Sequence, residues 1–328
     1  MRRLFLLFLF INFSISAYNQ VVKGTILDKD TKRAIDFASL YFSGTFVGTH
    51  SDPNGNFELD ISRYASMPLT ISAIGYFSVT LTDYSPTKPL LIYMTPKVYE
   101  LMEVTVKAKS LVRERRENLK IFRNEFLGTT GNALNCVIIN ENDITFNYGS
   151  DNDTLRAYAS KPILMENRAL GYKITYYLDK FEYYKESKSF FFKGNMLFDQ
   201  DLSTEETQKQ LFERRRKYAY LGSRMHFFRT LWVNDLKSTG FKVKNSADEY
   251  LTYRDIVIEE NGRNKYLRYK EDLGICYYTN SPNSYLVLLK DKIHFDATGY
   301  YDASGISWEG TMAGQRIADW LPYEYSIK

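Results

Sequence analysis

Few side chains in this 328-residue sequence could carry out catalysis, and histidine is the first to consider because it titrates near neutral pH. None of the three histidines, His50, His226 and His294, is followed by a glutamate three residues later, so a zinc-binding pair of that spacing is absent. The chain also lacks a His-Glu-x-x-His motif, a zinc-spaced cysteine pair, a Gly-x-Ser-x-Gly motif and a phosphate-binding glycine-rich loop. The sequence therefore predicts no catalytic residue, no metal ligand and no cofactor.

The candidate binding residues lie in one segment of a predicted helix and are Tyr220, Ser223, Arg224, His226 and Arg229. Helical spacing places His226 near the border of the apolar face, with Ser223 and Arg229 about one turn away on either side. The favoured interpretation is a structural histidine whose hydrogen bonds are satisfied inside the fold. The alternative is a small-ligand or glycan pocket where this helix meets a sheet.

Acidic loops give no clear ion site. In Asp52-Pro53-Asn54-Gly55-Asn56 the glycine comes two positions too early for a calcium loop, and Arg63 stands where a bidentate glutamate is needed. A β-turn is the favoured interpretation of this segment. Paired carboxylates for glycoside hydrolysis stay open as an alternative, because the fold sets the distance between them.

The two cysteines, Cys136 and Cys276, each lie within an apolar run, which favours buried core residues. An exported chain with an even number of cysteines also permits a disulfide, and this alternative stays open. Whether they are free thiols or a disulfide, we expect these cysteines to stabilise the fold and to take no part in catalysis.

The N terminus has the order of a secretory signal: Arg2 and Arg3, an apolar run, and then Ser14-Ile15-Ser16-Ala17. The apolar run is shorter than the ~20 residues that a membrane-spanning helix needs, so we expect cleavage after Ala17 rather than a membrane anchor. No cysteine stands directly after the expected cleavage site, so a lipid anchor of the lipoprotein kind is not indicated. We expect an exported protein that is periplasmic or associated with the outer membrane.

The composition of the remaining chain limits its partners. Without residues 1–17, 41 basic and 39 acidic residues remain, and this near-neutral balance gives no reason to expect nucleic-acid binding. The 27 tyrosines and 22 phenylalanines suit both β-sheets and recognition surfaces. A mature chain of about 310 residues is long enough for two domains.

Residues 18–96 read as a small all-β module. Apolar and polar side chains alternate from Ala38 to Ser43, and the two-residue period resumes at Phe57, Leu59 and Ile61. The Pro-Asn-Gly segment between these runs predicts a chain reversal and is the strongest hairpin signal in the sequence. Further strands are expected around Leu69, Val79 and Leu91.

Four motifs of this module resemble the carboxypeptidase-like regulatory domain in order and spacing. They are Thr25-Ile26-Leu27-Asp28, Ala38-Ser39-Leu40-Tyr41, Thr49-His50-Ser51-Asp52-Pro53-Asn54-Gly55-Asn56-Phe57 and Ile71-Ser72-Ala73-Ile74-Gly75-Tyr76. The resemblance implies a transthyretin-like β-sandwich, an accessory module that precedes the plug and barrel in TonB-dependent outer-membrane transporters. It implies little about function, because the module is attached to many different proteins. The metallopeptidase that gives the family its name is not encoded here, since its zinc motif is missing.

Residues 97–127 read as a connector. Leu101-Met102-Glu103-Val104-Thr105-Val106 resembles the short strand that follows this domain in the transporters, and residues 110–127 then take helical spacing. Seven basic and two acidic residues lie between Lys107 and Arg123. A solvated helix face is the favoured interpretation. The alternative is peripheral contact with anionic headgroups at a membrane surface.

Residues 128–328 are expected to form an α+β domain in which an antiparallel sheet packs against one long amphipathic helix. Strands are expected at residues 137–139, 144–148, 155–159, 172–177, 189–197, 250–258, 265–269, 275–279, 285–289 and 293–295. A capping box at Ser203-Thr204-Glu205-Glu206 is predicted to begin this helix, which would extend to Leu236. Its apolar face would include Leu211, Tyr218 and Phe228. The segments at residues 220–229 and 316–325 are similar to an uncharacterised partner domain that accompanies the module in short exported bacterial proteins. That resemblance implies no activity.

These observations favour a mainly β, exported, non-catalytic protein that binds or assembles with an envelope protein or glycan. A hydrolase with active-site residues dispersed over the strands is an alternative. A small outer-membrane-inserted β protein is another, although the many charges of the long helix argue against insertion. The oligomeric state is not predicted.

Overall fold

The chain is mainly β, with 39% strand and 21% helix, as the alternation of its apolar residues predicts. The structure is a computed structural model that describes residues 20–97, 108–149, 153–203, 205–261 and 264–327. The expected signal segment at residues 1–17 and the expected connector strand at residues 101–106 lie outside the described residues. Sequence-based expectations for those segments therefore stay predictions.

The N-terminal β domain has two sheets over one core. Its strands are β1 Val21–Asp28, β2 Ser39–Phe42, β3 Gly48–His50, β4 Asn56–Asp60, β5 Leu69–Ser72, β6 Val79–Leu81 and β7 Leu90–Met94. One sheet has the order β4-β1-β7, with β1 and β7 parallel, and the other has the order β3-β2-β5-β6. Ile26 and Phe57 of the first sheet share a core with Leu40 and Ile71 of the second.

The predicted reversal at residues 52–56 forms, but the hairpin prediction is wrong. The amide of Gly55 donates to the carbonyl of Asp52 at 2.8 Å, which closes the turn. The flanking strands then enter different sheets, since β3 pairs with β2 whereas β4 pairs with β1. Turn chemistry is local, whereas the choice of a partner strand depends on which apolar faces can be buried together.

The helix α1, Ala108–Phe126, forms where helical spacing predicts it. Phe122 and Phe126 are fully buried; the Phe122 ring lies 4.8 Å from the ring of Phe181, tilted by 56°, and the Phe126 ring lies 4.9 Å from that of Tyr176. The amide of Gly128 donates to the carbonyl of Asn124, so the helix ends at the predicted glycine.

The helix α1 packs against a six-stranded antiparallel sheet. Its strands are β8 Cys136–Ile138, β9 Ile144–Tyr148, β10 Thr154–Ala159, β11 Ile163–Asn167, β12 Tyr172–Tyr184 and β13 Ser189–Asp201. Strand β12 is central because it pairs with β10, β11 and β13. Five of these strands begin within two residues of a strand expected from the sequence, whereas β11 is not among the expected strands.

The expected long amphipathic helix is two helices, α2 Glu206–Tyr220 and α3 Arg224–Trp232. Gly222 interrupts them with a φ of +76°, a left-handed conformation that ends a helix. The capping box is also wrong. The N-cap is Glu205, its side chain makes no capping bond, and the Ser203 hydroxyl accepts from the amide of Glu205 instead. Tyr218, expected on the apolar face, is 75% exposed, because α2 buries Phe212 and Arg216.

The remaining chain forms two more antiparallel sheets. Their strands are β14 Phe241–Lys244, β15 Tyr250–Leu251, β16 Val257–Glu260, β17 Asn264–Leu267, β18 Leu273–Tyr277, β19 Ser284–Leu288, β20 Ile293–Phe295 and β21 Ile306–Glu309. The orders are β15-β14-β18-β19-β21 and β16-β17-β20. The strand expected from Tyr250 to Ile258 is divided by α4, Tyr253–Ile256, because Thr252 and Asp255 form a capping box. The last helix is α5, Gly310–Gly314.

Two cores support this part of the chain. One joins α1 to the six-stranded sheet and also receives Ile317 and Leu321 from the C-terminal tail. The other surrounds α3 and the last two sheets, with Phe228, Ile275 and Phe295 fully buried. Cys136 belongs to the first core, and Cys276 is buried in β18; both are free thiols, so the disulfide alternative is not formed.

The N-terminal domain is docked on the rest of the chain. All four residues of β2 are buried, so both faces of this strand are covered rather than one. Tyr41 stacks on Tyr177 of β12 at 5.5 Å, and the Ser39 and Tyr177 hydroxyls lie 2.7 Å apart. Thr45 forms a parallel β-bridge with Leu197 of β13. Among the residues described, no helix has both the length and the apolar character needed to cross a bilayer.

Candidate functional site

Two of the five predicted binding residues are arginines that hold the chain's own backbone. The guanidinium of Arg229 donates to the carbonyls of Thr298 at 2.8 Å, Tyr325 at 2.7 Å and Tyr323 at 2.9 Å. The guanidinium of Arg224 donates to the carbonyl of Met312 at 2.6 Å and to that of Gln315 at 3.1 Å. Both side chains therefore tie α3 to segments close to the C terminus.

His226 is buried at the break between α2 and α3. Ser223 is the N-cap of α3, and its hydroxyl accepts from the amide of His226 at 3.1 Å. The Nδ1 atom of His226 accepts from the amide of Gly222 at 3.1 Å. The imidazole ring lies 4.7 Å from the ring of Tyr220. Burial, followed by the nearby charge of Arg229, lowers the pKa of His226 from 6.5 to about 4, so the ring is neutral at pH 7.

The five residues thus lie close together, as helical spacing predicts, and join α2, α3 and the C-terminal tail. Tyr220 packs 5.7 Å from Tyr325 of the tail, and the Arg229 guanidinium lies 5.4 Å from the Tyr220 ring. None of the five lines either of the two clefts described below. In the described part of the chain, no three His, Cys, Asp or Glu side chains are grouped closely enough to hold a metal ion.

A cleft of about 760 Å³ opens beside the loop that follows α3. We call it the tyrosine cleft; residues 234–237, 240–243, 250–253 and 278–280 line it. Its walls are the loop after α3, strands β14 and β15, and the loop after β18. Its volume falls within the range typical of small-molecule sites, roughly 300–1,000 Å³.

Two exposed aromatic rings border the tyrosine cleft. Tyr278 is 74% exposed and Tyr250 is 57% exposed. The ammonium groups of Lys244 and Lys242 lie 4.7 Å and 5.8 Å from the centre of the Tyr250 ring, which restricts its motion. The Tyr250 ring therefore keeps a defined position although most of its surface faces water.

Tyr278 is held in a conformation that its residue type disfavours. Its φ is +51°, in the left-handed region, where a bulky side chain costs on the order of 1–2 kcal/mol. The amide of Tyr278 donates to the carbonyl of Gly240 at 2.9 Å, and its ring meets that of Tyr277 edge-on at 4.8 Å. A methyl group at Gly240 would lie 2.6 Å from the Tyr278 ring, so glycine lets this ring approach the backbone. Backbone strain of this kind is concentrated at functional sites.

Polar groups complete the walls of the tyrosine cleft. The ammonium group of Lys242 donates to the side-chain carbonyl of Asn280 at 2.8 Å. Asn234, Asp235 and Thr279 add amide, carboxylate and hydroxyl groups. The walls of the tyrosine cleft therefore contain hydrogen-bond donors, hydrogen-bond acceptors and aromatic rings, and their charged groups are of both signs.

Sequence reasoning missed the tyrosine cleft. Its residues come from four segments that no motif connects, and Tyr250 was assigned to a longer strand. The one local signal was the run from Tyr277 to Pro282, where two aromatic residues precede a polar loop. Such a run indicates a loop with exposed tyrosine, although it does not indicate what lies opposite.

The basic helix α1 divides its charges between the chain and solvent. The guanidinium of Arg115 donates to the carbonyls of Ile144 and Glu141, and Arg123 pairs with the Glu141 carboxylate. Arg116 and Lys120 are exposed on the same helix. Arg115 and Arg123 therefore bind other parts of the chain, whereas Arg116 and Lys120 face solvent.

Comparison with known proteins gives one family match. The CarboxypepD_reg-like domain matches residues 22–106, which include all the strands of the N-terminal β domain, and the rest of the chain has no family assignment. No curated protein matches the chain. One similar solved structure is the crystal structure of a 9R-lipoxygenase from Cyanothece PCC8801, at 10% identity and a TM-score of 0.17. That match covers 64% of this chain and 48% of the other, so the chain spans about half the length of the lipoxygenase.

Proposed function

We propose that this chain, which carries a CarboxypepD_reg-like domain at residues 22–106, is an exported, non-catalytic binding protein of the periplasm or outer-membrane surface. We further propose that the tyrosine cleft holds its ligand, a glycan. The observation that carries the proposal is Tyr278, an aromatic ring three-quarters exposed at a cleft and kept there by a disfavoured backbone conformation.

The chemistry of the cleft fits a hydroxyl-rich ligand. A pyranose ring has C–H faces that pack on aromatic rings and hydroxyl groups that need donors and acceptors. Tyr250 and Tyr278 supply rings with a polar tip, and Asn280 and Asp235 supply hydrogen-bonding groups. Lys237, Lys242 and Asp235 place charged groups of both signs around the cleft, and each can form hydrogen bonds with hydroxyl groups.

The N-terminal domain is proposed to be a transthyretin-like β-sandwich that acts as an accessory module. Its two sheets over one core and the order of its motifs support this assignment. The exposed Arg116 and Lys120 of α1 support peripheral contact with anionic headgroups at the membrane surface.

Glycan binding can be tested with the purified mature chain and the variant Tyr278→Asn. Asparagine tolerates a left-handed backbone, so the change removes the ring without adding strain. We expect the wild-type chain to bind neutral oligosaccharides or peptidoglycan fragments on a glycan array. We expect affinity to fall about tenfold in Tyr278→Asn, which is the loss of ~1.4 kcal/mol of stacking.

The matched control is Tyr218→Ala, which removes a tyrosine that is 75% exposed and lies outside both clefts. Its glycan affinity should equal that of the wild type. Equal affinity in Tyr278→Asn and wild type would exclude the tyrosine cleft as the site. Release of hydrolysed products from peptide, ester or glycan substrates, abolished by His226→Ala, would contradict the non-catalytic assignment.

A further inference from the structure

A second cleft, of about 530 Å³, lies where five elements of the chain meet. We call it the junction cleft. Its lining residues come from the loop after β2, strands β12 and β13, helix α2 and the C-terminal tail; those used below are Phe46, Tyr172, Phe198, Asp199, Glu213, Arg216, Glu324 and Tyr325. Phe46 is the residue that the N-terminal domain contributes to its lining.

Three aromatic rings form one corner of the junction cleft. The ring centres of Phe46, Tyr172 and Phe198 are 5.5–6.2 Å apart, and their planes are inclined by 57–75°. Tyr172 and Phe198 are buried, whereas Phe46 is 41% exposed and forms the edge of the cleft. Phe46 is therefore the ring that an occupant of the cleft can contact most fully, and Tyr172 and Phe198 support it from behind.

The corner already accommodates one cation, which belongs to the protein. The guanidinium of Arg216 lies 4.0 Å from the centre of the Tyr172 ring, and its Nε atom donates to the carbonyl of Leu170 at 2.7 Å. Arg216 is 9% exposed, so this charge is part of the wall. Its position shows that these ring faces are compatible with positive charge.

Carboxylates outnumber cations in the lining of the junction cleft. The lining includes the carboxylates of Asp199, Glu213 and Glu324 and one guanidinium, that of Arg216. Glu213 accepts from the hydroxyl of Tyr325 at 3.0 Å, and Glu324 accepts from the amide of Phe46 at 2.9 Å. An ionised carboxylate can accept about four hydrogen bonds, so both groups retain acceptor capacity after these contacts.

We propose that the junction cleft binds a protonated alkylamine. The aromatic corner provides apolar and cation–π contact, and the excess of carboxylates provides charge complementarity in a partly dehydrated space. The amine belongs either to a free small molecule or to the lysine side chain of a partner polypeptide. This inference uses a different cleft from the proposed glycan site and stands independently of it.

The test is isothermal titration of the mature full-length chain with n-pentylamine, with the capped peptide acetyl-Gly-Lys-Gly-amide and with pentan-1-ol. The alcohol has the same length as the amine and no charge. We expect the amine to bind at least about tenfold more tightly than the alcohol, and its affinity to weaken as salt rises from about 0.05 to about 0.5 M. Stronger binding of the peptide than of pentylamine identifies a lysine side chain as the ligand; the reverse order identifies a free amine.

Two variants assign the binding to this cleft. Glu213→Gln preserves size while it removes charge, and Phe46→Leu removes an exposed ring without emptying the core; each should weaken amine binding at least about fivefold. Tyr218→Ala, on the exposed face of the same helix, should leave it unchanged, as should Tyr278→Asn at the other cleft. Equal binding of amine and alcohol, no amine binding at concentrations up to about 10 mM, or unchanged affinity in both variants would overturn the proposal.

Discussion

Single residues in this protein show how little a residue type reveals without its surroundings. His226 is the most chemically versatile side chain of the predicted site, yet burial keeps it neutral and its Nδ1 atom accepts from the amide of Gly222. Tyr278 looked like one of many tyrosines, yet its backbone conformation and its exposure make it the centre of the proposed glycan site. The difference lies in contacts with residues distant along the chain.

The first prediction concerns the pH dependence of stability at His226. Because its pKa falls from 6.5 in the unfolded chain to about 4 in the fold, the unfolded chain binds more protons between these values. The contribution of His226 is therefore complete above pH 6.5 and is lost as pH falls towards 4, by up to about 3 kcal/mol. We expect His226→Asn to be less stable than wild type at pH 7 and to lose this disadvantage progressively down to pH 4.

Urea denaturation of both proteins at a series of pH values measures the effect as the difference in unfolding free energy. His50→Asn is the matched control, since it makes the same substitution at an exposed histidine on β3. Parallel profiles for wild type and His226→Asn would contradict the assignment of the pH-dependent contribution to His226.

At the scale of elements, the most consequential feature is the break between α2 and α3. Apolar residues repeat at helical spacing across residues 211–232, which predicts one helix, but Gly222 takes a left-handed conformation between two helices. The break lets the Gly222 amide reach His226 and gives Ser223 the position of an N-cap. It also turns α3 so that Arg229 reaches the C-terminal tail.

The second prediction is that Gly222→Ala destabilises the fold. Its φ of +76° is strained for alanine, and the added methyl group would lie 2.7 Å from the Tyr277 ring. Strain and overpacking together predict a loss of about 2–4 kcal/mol in unfolding free energy. Chemical denaturation monitored by circular dichroism measures it.

Gly314→Ala provides the comparison for this change, because Gly314 ends a helix and has open space around its Cα atom. Alanine there should be neutral or slightly stabilising. If Gly222→Ala loses no more unfolding free energy than Gly314→Ala, the left-handed conformation at Gly222 is not needed, and one continuous helix forms as easily as two.

At the scale of the whole molecule, the N-terminal domain is held by backbone as well as side-chain contacts. The amide of Gly44 donates to the carbonyl of Met196 at 2.8 Å, and the carbonyl of Gly44 accepts from the amide of Tyr323 at 2.9 Å. The same loop bridges β13 through Thr45 and lines the junction cleft through Phe46. An N-terminal domain that is attached in this way packs closely on the sheet beneath it.

The third prediction is that Gly44→Ala loosens this docking. Gly44 has a φ of +84°, and an added methyl group would lie 2.8 Å from the Tyr323 ring. We expect thermal unfolding, measured by scanning calorimetry, to divide into two transitions, with the N-terminal domain unfolding first. Amine binding at the junction cleft should weaken in parallel.

Gly75→Ala separates docking from backbone strain. Gly75 has a nearly identical φ of +83° in the same domain, but nothing lies within 4 Å of the added methyl group. We expect it to lower the unfolding temperature slightly while it preserves a single transition and full amine affinity. Identical behaviour of the two variants would show that the contact with Tyr323 does not hold the domain in place.

Local order in this protein could be read from residues alone, because side-chain period and turn chemistry are properties of short segments. The alternation at Ile144–Tyr148, the helical spacing of Phe122 and Phe126 and the reversal at Gly55 all appear as expected. The sequence did not allow us to predict which strands pair, where the helix breaks at Gly222 or where the two clefts lie. Each of these depends on contacts between residues that are far apart along the chain. Tyr41 makes the reason concrete: its face of β2 is buried only because Tyr177, more than a hundred positions away, packs against it.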